Sequence, residues 1–212
     1  MMKYAAGNRN PKLLKGKKRI ACVGDSITFG HGVRGKTEET WEYYLNGILG
    51  DAYQVVNYGA SGRTLQKAGD QPYTRDHIFR RSLECRAEVY LILLGTNDAK
   101  PFNWNRDRFE REYEAFVRNY TEQPDAPRVV LMTPPQVFGT DSRGMAAFGI
   151  QAGILDGEIV KAVKNAAEKM NLQVIDLHAY TEGHPEWFMD GVHPNAAGNR
   201  AFAAYIAEKL AL

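Results

Sequence analysis

Five short apolar runs constrain this chain more than any other feature: Arg19–Val23, Gln54–Tyr58, Val89–Leu94, Arg128–Thr133 and Gln173–Leu177. They are rich in β-branched residues and leucine, and mostly continuous in apolarity rather than alternating with polar residues. Strands covered on both faces read this way, because both sides of the pleat are buried. The segments between the runs carry helical spacing. Trp41, Tyr44, Leu45, Ile48 and Leu49 fall at i, i+3, i+4, i+7 and i+8. Phe109, Tyr113, Phe116, Val117 and Tyr120 form a second stripe. Ile159, Val160, Val163, Ala167 and Met170 form a third, less regular one, and Phe202, Tyr205, Ile206 and Leu210 a fourth. Each reads as the core-facing stripe of a helix, and a further short helix is expected within Arg75–Leu83. Strands alternating with helices imply parallel β-α-β units with right-handed crossovers. The expected fold is therefore α/β: a three-layer sandwich around a five-stranded parallel sheet.

A chain of 212 residues suits one domain. Residues 1–17 read as a polar lead-in and residues 18–212 as the domain, with no internal repeat or low-complexity linker. The net charge of +2 is too small to argue for nucleic acid. The basic cluster Lys12, Lys15, Lys17, Lys18 and Arg19 reads as a solvated approach to the first strand. Cys22 lies inside that strand and Cys85 before the third, and the pair makes neither a disulfide framework nor a zinc site. No apolar run approaches the roughly 20 residues that span a bilayer. Met1–Asn10 has no apolar signal core, which favours a cytoplasmic chain; a removed leader would leave secreted or periplasmic placement open.

In open parallel sheets, ligands bind beyond the carboxyl ends of the strands. Polar motifs follow the first three runs: Gly24-Asp25-Ser26, Asn57-Tyr58-Gly59-Ala60-Ser61-Gly62, and Gly95-Thr96-Asn97-Asp98. Asp190-Gly191-Val192-His193-Pro194-Asn195 follows the fifth run and precedes the last helical stripe. A serine hydroxyl attacks only when a base takes its proton and a third group orients the base. Ser26 is the candidate nucleophile, His193 the base and Asp190, three residues earlier, the orienting acid. Pro194 restricts His193 to extended or turn geometry. Acyl transfer also needs donors for a developing oxyanion: the backbone N–H of Ser26, the N–H of Gly59 and the side-chain amide of Asn97 are the candidates.

Those four blocks, in this order, resemble the SGNH hydrolases of the GDSL esterase/lipase superfamily, from about Lys18 to the C-terminus. Ile27 stands where the family name implies leucine, an apolar residue of similar volume. The resemblance implies a flavodoxin-like fold without metal or organic cofactor. It implies a Ser26–His193–Asp190 triad, with Ser26, Gly59 and Asn97 as the oxyanion hole. Gly95-Thr96-Asn97-Asp98-Ala99-Lys100-Pro101 with Asn103-Trp104 is similar to members that remove O-acetyl groups from carbohydrates. The expected partner is thus a small-molecule or glycan ester, with arylesterase, thioesterase and lysophospholipase activities left open.

Other residues carry rival readings. Asp25 reads as a turn hydrogen-bonder, and Ser61 lacks a Gly-x-Ser-x-Gly elbow. His31, His77, His178 and His184 lack the matching carboxylate block. Arg63 is a candidate contact for an anionic substrate group, and Trp104 and Trp187 are candidates for a substrate subsite, each with a structural alternative. Two other function classes stay open: a metal-dependent hydrolase built on Asp25, Asp98, Asp190 and His193, and a non-catalytic sugar-binding module. The Thr133–Gly149 loop, rich in Pro and Gly, is long enough to be functional.

Overall fold

A computed structural model describes residues 12–33 and 37–212. Met1–Asn10, on which the cytoplasmic expectation rests, lies outside the described residues. Five strands form one parallel sheet: β1 (Lys18–Gly24), β2 (Tyr53–Gly59), β3 (Val89–Leu93), β4 (Arg128–Met132) and β5 (Gln173–Ile175), in the order β2-β1-β3-β4-β5. The last strand is shorter than its apolar run. Asp176 stops it by capping the next helix, its carboxylate accepting from the Ala179 N–H.

The helices are α1 (Ser26–Phe29), α2 (Trp41–Leu49), α3 (His77–Glu84), α4 (Arg106–Thr121), α5 (Ala152–Ile154), α6 (Val160–Lys169), α7 (Leu177–Tyr180) and α8 (Ala196–Leu210). A π-helical turn, Leu155–Ile159, joins α5 to α6. Leu155 and Ile159 of that turn are buried, and the buried face continues through Val160, Ala162, Val163, Ala166 and Ala167 of α6. Side chains alternate across each strand, so the core has two halves. Ala21, Val23, Tyr90 and Ile92 pack against α3, α4 and α6 on one face. Ile20, Cys22, Leu91 and Leu93 pack against α2 and α8 on the other. Cys22 and Cys85 are both free thiols, buried in opposite halves.

The α4 stripe is buried along its whole length, from Phe109 to Tyr120. The α2 stripe stops one turn short: Trp41 and Leu45 are buried, whereas Ile48 is 54% exposed. Asp76 opens α3 by accepting from the Ile78 N–H. No described helix is long and apolar enough to cross a membrane.

The strand order places β2 on one side of β1 and β3 on the other. Connections therefore leave β1 and β3 in opposite directions, opening a crevice at their carboxyl ends. The loops after β1, β2 and β3 all face that crevice.

Candidate active site

Ser26 is the first residue of α1, immediately beyond β1. Asp25 sets the turn: its side chain caps α1 by accepting from the Ile27 N–H at 3.0 Å. Burial pushes the Asp25 carboxyl up to about 6, against the lowering effect of that bond. Asp25 is thus a buried brace, and Ser26 is left facing the crevice.

The Asp190–Pro194 turn approaches from the other end of the chain. Phe188 and Pro194 bridge antiparallel, and the Met189 N–H donates to the His193 carbonyl. One Asp190 oxygen accepts from the backbone N–H groups of Val192 and His193, at 3.0 and 2.7 Å. The other lies 2.8 Å from His193 Nδ1, and His193 Nε2 lies 2.9 Å from Ser26 Oγ. Burial alone would raise the Asp190 carboxyl, but the bonds from the His193 backbone and ring and from Val192 hold it below the usual range. Burial lowers the His193 imidazole below its ordinary value, Asp190 opposes that shift, and nearby His31 adds to it. A neutral imidazole oriented by a carboxylate and touching a hydroxyl is equipped to take the hydroxyl proton.

The third wall comes from the loops after β2 and β3. Asn97 lines the pocket, and its Nδ2 donates to the Arg63 carbonyl at 3.2 Å, which leaves a second amide hydrogen. The two loops are tied by Asp98, whose oxygens accept from Leu65 and Gln66 N–H at 2.8 and 2.9 Å. Burial pushes the Asp98 carboxyl up to about 7.

Gly59 needs correction as an oxyanion donor. Its N–H donates to Asn57 Oδ1 at 2.8 Å, and it does not line the pocket. Its lack of a side chain serves packing: a Cβ there would meet Phe29 N at 2.2 Å. Gly62, three residues on, lines the pocket instead. Its φ of +78° suits glycine, and its N–H has no hydrogen bond among the described residues.

The three candidate substrate contacts also fall elsewhere. Arg63 bonds Asp76 through Nε and Nη2, and the Ser61 carbonyl and Gln71 through Nη1. Four of its five N–H donors are taken up in bracing the loop. Trp104 packs on Phe109, and Trp187 stacks on His184 and packs tilted against Tyr180. None of the three lines the pocket around Ser26. That pocket is a cavity of about 230 Å³ bounded by Ser26, His31, Ser61, Gly62, Thr96, Asn97, Lys100, Phe148, Ile150, Val192 and His193.

The Thr133–Gly149 loop reaches this pocket. The Phe138 N–H donates to the Gly191 carbonyl, and Phe148 sits against the His193 ring, centroids 4.9 Å apart. His31, grouped above with the histidines lacking a carboxylate block, lies with its ring centroid 4.2 Å from that of His193. The Gly30-His31-Gly32 turn just after Ser26 was the local signal for it. His31, Asp190 and His193 are the described group closest to a metal-ligand set, with one ligand atom from each within 4.8 Å of the others. Both His193 ring nitrogens already have partners, so an ion there would displace Asp190 or Ser26.

The model of the GDSL-like Lipase/Acylhydrolase family matches residues 22–201, most of the chain and every loop just described. The chain belongs to this family. Among curated proteins it is similar to the acetylxylan esterase of Xylanibacter ruminicola, with 32% identity over 208 residues, 89% of this chain and 42% of that protein. It is also similar to a multidomain esterase of Ruminococcus flavefaciens, with 24% identity over 92% of this chain and 28% of that one. The chain thus spans less than half the length of the curated relatives it matches. Among solved structures, an M. smegmatis aryl esterase aligns with a TM-score of 0.72 and 24% identity, covering 92% of this chain and 98% of that one. At this identity the likeness shows the fold alone.

Proposed function

We propose that the chain is a serine esterase that removes short acyl groups, with O-acetyl esters of carbohydrates as its substrate class. The observation that carries the reading is the unbroken line Asp190–His193–Ser26, with contacts of 2.8 and 2.9 Å. In this reading His193 Nε2 takes the Ser26 proton as Oγ attacks the ester carbonyl. The tetrahedral oxyanion accepts from the Ser26 N–H, the free Asn97 amide hydrogen and the Gly62 N–H. His193 then protonates the departing alkoxide, leaving an acyl group on Ser26. Water repeats the attack with His193 again as base, releases the acid and restores Ser26. Asp190 keeps the proton of the neutral ring on Nδ1 and stabilises the imidazolium formed in each half.

Two observations support a short acyl group on a sugar. The cavity of about 230 Å³ is smaller than the roughly 300–1,000 Å³ usual for ligand pockets. The 32%-identical relative bears the name of an esterase of acetylated xylan. Acetate release from acetylated xylan and from a series of acetyl to decanoyl esters tests the substrate class, and preference for decanoyl would count against it. Ser26→Ala is expected to lower turnover by a factor on the order of 10³ or more, and a serine-reactive phosphonate to add its mass at Ser26. Turnover unchanged in the variant would overturn the mechanism.

A further inference from the structure

Resting on the esterase reading, the geometry points to a binding platform for the sugar ring of the departing alcohol, made by Phe148 beside His31. A tetrahedral adduct on Ser26 has four substituents. Oγ is one, and the oxyanion, facing Asn97 and Gly62, is another. The leaving oxygen must reach His193 Nε2 to be protonated, so whatever packs around His193 meets the alcohol half of the ester. Two rings pack there. His31 lies 4.2 Å from His193 between centroids, tilted by 44°. Phe148 lies 4.9 Å from His193 and 6.0 Å from His31, edge-on to each.

Phe148 is held out where it cannot serve the core. It is 56% exposed, and its φ of +60° is in the left-handed region that a residue with a Cβ seldom occupies. The flanks impose this. Ala146 N–H donates to the Ile150 carbonyl, Met145 bridges Gln151, and the Gln151 N–H donates to the Ala99 carbonyl beside the oxyanion turn. Asp141 accepts from the N–H groups of Arg143 and Met145 at the base of the loop. A strained backbone presenting a large exposed ring beside the reacting base is an arrangement better suited to a ligand than to stability. The ligand that fits is amphipathic, with an apolar C–H face for the phenyl ring and a rim of hydroxyls for solvent. A pyranose or furanose ring meets that description, whereas a small alkyl alcohol offers too little face to cover the ring.

The experiment compares kcat/KM for acetylated xylo-oligosaccharides with kcat/KM for ethyl acetate and follows their ratio. In Phe148→Ala the ratio is expected to fall about tenfold, the scale of one lost aromatic contact. Phe148→Leu keeps apolar bulk without a ring and should show the same fall, while Phe148→Tyr should retain the wild-type ratio. Circular dichroism of each variant separates loss of the platform from loss of the fold. A wild-type ratio in Phe148→Ala or Phe148→Leu would overturn the platform. A wild-type protein that hydrolyses no ester would sink the esterase reading itself, and the platform with it.

Discussion

Asp190→Asn isolates what the carboxylate does for the histidine. In the native site one oxygen of Asp190 accepts from the Val192 and His193 backbone, and the other accepts from the His193 ring. Asparagine can keep its single oxygen on the two backbone N–H groups, which preserves the turn. Its amide then faces Nδ1 and donates where the carboxylate accepted. The ring answers by moving its proton to Nε2, which makes the nitrogen touching Ser26 a donor rather than a base. The hydroxyl is 2.9 Å away in a geometry that no longer activates it. The equivalent substitution in serine proteases costs about 10⁴ in turnover, which corresponds to about 5 kcal/mol of transition-state stabilisation. The expected result is a fall of that order in kcat for acetate release, with KM nearly unchanged and a thermal midpoint within a few degrees. Nitrogen NMR of the imidazole should show the proton transferred from Nδ1 to Nε2. A loss below tenfold in a folded variant, or an unchanged tautomer, would refute the role given to Asp190.

Two further expectations follow from the same geometry. His193 works as a base only when neutral, and burial lowers its pKa below the ordinary value. The rate must therefore rise with pH through a midpoint below about 6.5 and be flat by neutrality; initial kcat/KM values measured from pH 4 to 9 that give a midpoint at or above 7 would contradict the burial argument. Asn97→Ala removes one oxyanion donor and should lower kcat by about 10²–10³ while leaving KM within a few-fold. An effect confined to KM would make Asn97 a ground-state contact instead.

Much of the fold was legible because it rests on local pattern. Continuous apolar runs mark strands covered on both faces, and the stripe from Phe109 to Tyr120 marks a helix whose buried face is the same one. The Asp190–His193 pair was legible for a similar reason. The two lie three positions apart, so a single turn delivers both the backbone and ring contacts of the carboxylate. The stripe of α2 overreached at Ile48, since periodicity tells which face is apolar but not where the neighbouring layer ends. The loop after β4 was legible only as long and rich in Pro and Gly. That Phe148 reaches His193 depends on the anchoring of its flank, through the Gln151 N–H, to the carbonyl of Ala99, a contact distant in sequence.

The block at the end of β2 shows where motif reading loses resolution. Asn57-Tyr58-Gly59-Ala60-Ser61-Gly62 contains two glycines, and both lack a side chain for a steric reason. At Gly59 the reason is the backbone of α1 pressing against it, and its N–H is closed off by its own neighbour Asn57. At Gly62 the reason is a left-handed turn that brings the chain past the pocket. Arg63 belongs to the same account. It looks free for a substrate anion until its four contacts are seen to fasten Ser61, Gln71 and Asp76 around that turn. Together with Asp98, which holds Leu65 and Gln66 from the other side, it braces the segment in which Gly62 sits. The place of Gly62 at the pocket is thus set by ion pairs and buried carboxylate contacts around it rather than by its own motif. For that reason a reading of residue types anticipates the Asp190–His193–Ser26 contacts more readily than the backbone that lines the pocket opposite them.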